Sequence, residues 1–188
     1  IENRRAAGLL CGPTGIGKSL VADMLLRQLG ENFRPVYHLV FPTLSPEQLL
    51  RYLVDQIDTN SGEWPREPAA DLMRFERLLQ KNLDQNRHAV IVVDEAHLLE
   101  QNGLLEPLRL LLNVASSQSQ GESACTLVLV GQPTLLSHVE RYHPLDERLA
   151  VKCMLNRLLP DETVAYIQHR IRLAGGNSDK VFDEAALD

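Results

Sequence analysis

No apolar run in this 188-residue chain approaches the roughly 18 residues that a membrane-spanning helix needs. The chain also lacks the basic start and apolar stretch of a secretory leader, because Ile1–Cys11 passes straight into a glycine-rich loop. A cytoplasmic location is the simplest expectation. Cysteine is scarce, and Cys11, Cys125 and Cys153 form an odd set without metal-ligand spacing, which argues against a disulfide framework or a zinc site. Each lies in an apolar stretch that reads as a strand, so all three are expected to be reduced core thiols. Positive charge is in deficit: 19 Lys and Arg against 25 Asp and Glu leave a formal charge of −6. That balance argues against coating nucleic acid by net charge alone, while a local basic face stays compatible with it. The first residue is not methionine and the last residues read as an unfinished helix, so an excised segment is expected.

What the chain does contain is an alternation of strand and helix signals. Ala7–Cys11 is a short apolar run, followed by a loop and a helix from Lys18 to Leu29 on which Leu20, Met24 and Leu25 recur at helical spacing. Pro35–Phe41 reads as a second strand. Ser45-Pro-Glu-Gln48 has the capping-box pattern with proline suited to the first helical position, and Leu49, Leu50, Leu53 and Ile57 form the stripe behind it. A loop over Asp58–Pro68 precedes a helix carrying Leu72, Phe75, Leu79 and Leu83. Trp64 in that loop is read as covering a small local cluster, with a partner contact as the alternative. Ala89–Val93 is continuously apolar, as a parallel strand covered on both faces must be. A helix at Leu104–Ala115, a polar loop over Ser116–Ser123, a strand at Leu127–Val130 and a short helix at Leu135–Val139 follow. The pattern closes with a strand at Val151–Leu155 and a helix from Asp161 to Ala174 ended by Gly175-Gly176. The class is α/β with a parallel sheet.

Chemistry concentrates in two places. Binding a phosphate needs several backbone amides converging on one anion, hence glycines at fixed spacing before a helix N-terminus. Gly12-Pro13-Thr14-Gly15-Ile16-Gly17-Lys18-Ser19 supplies them after a strand and at the start of a helix. Lys18 would reach the β- and γ-phosphates of a bound nucleotide, and the Ser19 hydroxyl would join the shell of a magnesium ion. The second place is the end of Val90–Val93, where Asp94 is the expected magnesium partner and Glu95 the acceptor of a proton from an attacking water. An exposed strand end or a helix cap is the alternative reading of that acidic pair, but four apolar strand residues before it and the glycine-rich loop elsewhere favour the catalytic one. Gln132 follows the next strand through Gly131 and would orient water or sense the γ-phosphate, or else serve only as a turn residue before Pro133. Arg141 and Arg148 are candidates for an arginine finger acting on a neighbouring subunit, with surface ion pairing the competing account.

Two constellations carry less. His138, Glu140 and His143 lack the helical pairing four apart that zinc peptidases use. Asp94-Glu-Ala-His97 spells a box of helicase motors, which need a second recombinase-like domain that this length cannot supply. His97 is then an ordinary helix-start residue. A small-molecule phosphotransferase is disfavoured because Glu95 and Gln132 suit water better than a bound acceptor.

On Gly12–Ser19, Ile91–Leu98, Leu127–Pro133, Asp146-Glu-Arg148 and Glu162–Arg170 with Ala174-Gly175, the chain resembles the AAA+ ATPases, within them the ExeA/GspA-like group of bacterial secretion and pilus-assembly ATPases. The first two stretches are the Walker A and Walker B motifs of many ATPases; the Gly-Gln-Pro turn and the Glu-Thr-x-x-Tyr-Ile-x-x-Arg helix are narrower. The same set is similar to transposition regulators that load onto DNA as ATP-dependent oligomers. The resemblance implies a three-layer αβα sandwich with a five-stranded parallel sheet in the order 5-1-4-3-2. It also implies Gln132 at the sensor-1 position, Arg148 as the finger, and ATP and Mg2+ as ligands. Residues 1–158 would be the ATPase core and 159–188 the start of a truncated helical lid that ends before any sensor-2 arginine. The expected partners are further copies of the chain and a secretion or assembly protein, with DNA, or a slow nucleotide switch, under the alternative readings. Tethering of the full protein to the inner membrane is compatible with this picture.

Overall fold

The computed structural model describes residues 1–40, 44–57, 67–117 and 123–176. The chain forms two compact units, Ile1–Leu155 and Asn156–Asp188. Five parallel strands, β1 (Ala7–Cys11), β2 (Val36–Leu39), β3 (Ala89–Val93), β4 (Cys125–Gly131) and β5 (Leu149–Met154), make one sheet in the first unit. Its order is β2-β3-β4-β1-β5, the anticipated 5-1-4-3-2 viewed from the opposite edge.

The hydrophobic alternation explains the layers. All five β3 residues are buried, since β3 is flanked by strands on both sides and covered on both faces. Ala89, Ile91 and Val93 point into the larger core with Leu127 and Leu129 of β4. Helices α2 (Pro46–Ile57), α3 (Pro68–Asp84), α4 (Leu105–Ser117) and α5 (Thr134–Arg141) bring Leu53, Phe75, Leu79, Leu108, Leu112 and Val139 to that side. Val90, Val92 and Val130 turn to the other face, where Ala22 of α1 (Lys18–Gln28) and Phe33 meet them. The αβα sandwich follows from this period-two division.

Local signals act as their chemistry requires. At the start of α2 the Ser45 N–H donates to Gln48 Oε1 at 2.9 Å and the Gln48 N–H donates to Ser45 Oγ at 3.3 Å, the reciprocal capping box. Arg51 with Asp71, and Arg74 with Asp55, tie α2 to α3 by 2.9 Å ion pairs. In the second unit α7 (Pro160–Leu173) starts with the Leu159 N–H on Glu162 Oε2 at 2.8 Å. It ends where Gly175 takes φ 78 and the Gly176 N–H reaches Ile171 O at 2.9 Å.

Several sequence expectations need correction. The helix read from the spacing of Leu20, Met24 and Leu25 is present as α1, although these side chains are exposed, because α1 meets the sheet through Ala22 and Leu26. Cys11 and Cys125 are buried, whereas Cys153 is exposed, since β5 is an edge strand paired on one side only. β5 starts at Leu149, earlier than the apolar pattern indicates, and the short helix α6 (His143–Asp146) precedes it. Trp64 and the Asp58–Arg66 stretch lie outside the described residues.

His88 has no surface exposure; its Nε2 lies 2.8 Å from Thr126 Oγ1, and the Phe33 ring meets it edge-on at 5.7 Å. Burial, reinforced by the positive charge of Arg4, lowers its pKa to about 4. The unfolded chain therefore takes up this proton first as pH falls below about 6.5. The stability contribution is complete above that pH and is lost as pH falls through 4. The loss between pH 7 and pH 4 is about 3 kcal/mol. Urea unfolding at both pH values is expected to show a drop about that much smaller in His88→Gln, which keeps a donor and cannot titrate.

Candidate functional site

β1 delivers the chain to the loop between Cys11 and α1, and each glycine there has its own reason. Gly15 and Gly17 take φ 78 and φ 94, the left-handed region that only glycine occupies without strain. Gly12 is different. A Cβ there would lie 2.8 Å from the backbone oxygen of Leu155, whose N–H in turn donates to Cys11 O at 2.7 Å. Close strand packing, not dihedral freedom, demands this glycine. Pro13, Thr14 and Ile16 complete the turn, with the Ile16 N–H on Pro13 O at 3.4 Å.

Gly17 is the N-cap of α1, so no side chain caps the helix, and its first turn carries no acidic residue. The leading amides and the positive end of the helix dipole are thus directed at the loop. Lys18 is buried, and its Nζ donates to Pro13 O at 2.9 Å, which folds the ammonium over the loop.

Ser19 Oγ donates to Asp94 Oδ2 at 2.6 Å. Asp94 follows β3 and is only 5% exposed; its other oxygen accepts the Glu95 N–H at 2.8 Å. That bond holds Glu95 at φ 50, a left-handed conformation costing a non-glycine residue about 1–2 kcal/mol. A single 3₁₀ turn, Ala96–Leu98, comes next. His97 Nδ1 lies 3.3 Å from Glu95 Oε2, and His97 Nε2 lies 3.1 Å from the Gln132 amide nitrogen. Gln132 follows β4, the strand between β1 and β3.

The structure therefore brings together Lys18, Ser19 and Asp94, and joins Glu95 to Gln132 through His97. Arg148 lies apart, hydrogen-bonded by Nη1 to Ser116 Oγ of α4 at 3.4 Å. Arg141 is exposed and 3.6 Å from Glu100. His138 pairs with that same Glu100 at 3.0 Å while Glu140 is 3.8 Å from Lys152, so the His138–His143 stretch is drawn to separate partners.

Two histidines were missed by sequence reasoning. His97 does more than start a helix, because it contacts both Glu95 and Gln132. His38, next to last in β2, places Nε2 3.8 Å from Asp94 Oδ2. The in-register pairing of His38 with Val92 puts it there, a relation that needs strand order to be known.

A hydroxyl and a carboxylate oxygen side by side at a helix N-terminus are hard oxygen donors, a set suited to magnesium when phosphate oxygens complete the shell. Among the described residues no group of three or more His, Cys, Asp or Glu side chains could hold a metal by itself. Glycine loop, buried lysine, serine–aspartate contact and parallel sheet define a P-loop protein of the α/β class. The family model described as "AAA domain" matches residues 1–139, and the chain belongs to that family.

Solved structures share the fold. The ORC2 protein of Aeropyrum pernix in ADPNP-ADP complexes matches with a TM-score of 0.71 and 16% identity, over 92% of this chain and 47% of that one. The ORC1 protein of Aeropyrum pernix in complex with DNA matches at 0.60 and 18%, over 89% and 44%. A Walker-type ATPase of Pyrococcus abyssi matches at 0.57 and 18%, over 91% and 54%. The chain thus spans about half the length of these proteins. No curated protein matches it.

The packing of the loop yields a test with an internal control. A Cβ at Gly8 would meet only Val151 O at 3.9 Å, so Gly8→Ala is expected to leave stability within about 1 kcal/mol. Gly12→Ala must displace the Leu155 backbone and is expected to cost about 1–3 kcal/mol. Urea unfolding of both variants separates them; equal midpoints would refute the packing role of Gly12.

Proposed function

We propose that this chain is an ATP-binding and ATP-hydrolysing AAA+ module that couples nucleotide state to oligomer or partner assembly. The observation that carries this reading is the 2.6 Å contact of Ser19 Oγ with Asp94 Oδ2, which joins the phosphate loop to a buried strand-end carboxylate. Gly12–Gly17 and the leading amides of α1 would cradle the phosphates. Lys18 would exchange Pro13 O for phosphate oxygens, and Ser19 and Asp94 would hold magnesium. A bound magnesium ion would neutralise charge on the β- and γ-phosphates. Glu95, 40% exposed at its side chain, would take the proton of the attacking water, and Gln132 would sense the γ-phosphate.

Arg148, held against Ser116 of its own chain, would serve the nucleotide of a neighbouring copy. In this reading Asn156–Asp188 begins a helical lid. The Gly131-Gln-Pro turn and the Glu162–Arg170 helix favour the secretion and pilus-assembly type, with a protein partner. Among the described residues no helix is long and apolar enough to cross a membrane.

A second reading, an ATP-dependent DNA-binding regulator, draws on the fold shared with the ORC1 protein in complex with DNA. Titration with double-stranded DNA, with and without ATP, separates the two: binding only with ATP favours the regulator, and none favours the protein-partner type.

Glu95→Gln is expected to bind ATP with near-unchanged affinity and to turn over about 10²-fold or more slowly. Equilibrium binding and phosphate release check this, and near-normal turnover would remove Glu95 as the base. Arg148→Ala should abolish only the part of the activity that rises with protein concentration. A loss equal at all dilutions would count against a finger acting between copies.

A further inference from the structure

We infer that His97 is a positioning residue that ties the Glu95 carboxylate to the Gln132 amide, so that the two are set together. This rests on the hydrolysis reading for its purpose but not for its geometry. Glu95 and His97 stand two residues apart, Gln132 thirty-five further on, and only the adjacency of β3 and β4 makes them neighbours.

The hydrogen-bonding capacities run in one direction. The Gln132 amide nitrogen can only donate, and it lies 3.1 Å from His97 Nε2, so Nε2 accepts. A neutral imidazole then carries its proton on Nδ1. Nδ1 is buried without an aligned hydrogen bond, and the acceptor beside it is Glu95 Oε2 at 3.3 Å. A small rotation of the partly exposed Glu95 side chain completes the chain Gln132 to His97 to Glu95. In the neutral ring, turning the Gln132 amide to present its oxygen would move the single proton to Nε2. Glu95 would then face a lone pair where it had faced a donor. One imidazole proton therefore makes the orientation of each side chain depend on the other.

The backbone is built for this contact. A Cβ at Gly131 would sit 3.1 Å from the His97 amide nitrogen and 2.9 Å from Leu135 Cδ2. Glycine lets the 3₁₀ turn rest directly on the end of β4, one residue before Gln132. Ala96 and Leu99, both fully buried, pin the same turn from either side of His97.

Two measurements test the tie. In the 15N-histidine-labelled chain at neutral pH, the His97 ring is expected to show a protonated Nδ1 and an unprotonated, hydrogen-bonded Nε2, and Gln132→Ala should shift the Nε2 signal. A proton on Nε2, or a ring unchanged by Gln132→Ala, would overturn the inference. In steady-state ATP turnover, His97→Ala should lower kcat about tenfold or more. ATP affinity should stay within about twofold, and His97→Ala with Gln132→Ala should be no slower than the slower single variant. Multiplicative losses, or an unchanged kcat in His97→Ala, would also overturn it. Absence of turnover in the unmodified chain would defeat the hydrolysis reading instead, and the ring signals would still decide the tie without requiring a His97 variant to fold.

Discussion

The contact between Ser19 and Asp94 depends on where β4 runs. Neighbouring strands lie about 4.8 Å apart, so β1 and β3, with β4 between them, hold their ends about 10 Å from each other. A short hydroxyl on the first turn of α1 and a carboxylate directly after β3 close that span to 2.6 Å, which requires the register of the two strands to be fixed. β4 fixes it: Leu9 and Val93 both pair with Leu129, so β3 ends level with Leu9 while β1 runs two residues further, to Cys11. Insertion of β4 also puts Gln132 directly after the C-terminal end of the strand between the two.

Burial converts that spacing into rigidity. β3 and β4 contribute almost unbroken rows of buried residues to two cores on opposite faces. A strand packed on both faces cannot slip by one residue without exchanging its two sets of side chains. Asp94 is then carried into a nearly closed environment, where both of its oxygens are held by Ser19 Oγ and the Glu95 amide. The strained backbone of Glu95 is the cost of turning the chain immediately after a buried carboxylate.

Much of this was legible in the residues. The Gly12–Ser19 loop, the continuous Ala89–Val93 run and the Ser45–Gln48 capping box are local signals whose physics acts within a few residues, and each element formed where its signal lies. Relations between distant segments were less visible. The helical spacing of Leu20, Met24 and Leu25 said nothing about which face of α1 would meet the sheet, and Ala22 took that place. Cys153 looked like a core thiol because an edge strand and an inner strand share the same apolar composition until their neighbours are known.

The same division governs the site. Local sequence by itself determined the phosphate loop, its lysine and serine, and the strand-end pair Asp94 and Glu95, because glycine spacing and apolar runs act over one or two turns of chain. Tertiary structure decided that Gly12 is required by the Leu155 backbone, that His38 stands beside Asp94, and that His97 lies between Glu95 and Gln132. Those contacts exist only after parallel strands far apart in sequence have been set side by side by burial of their shared faces.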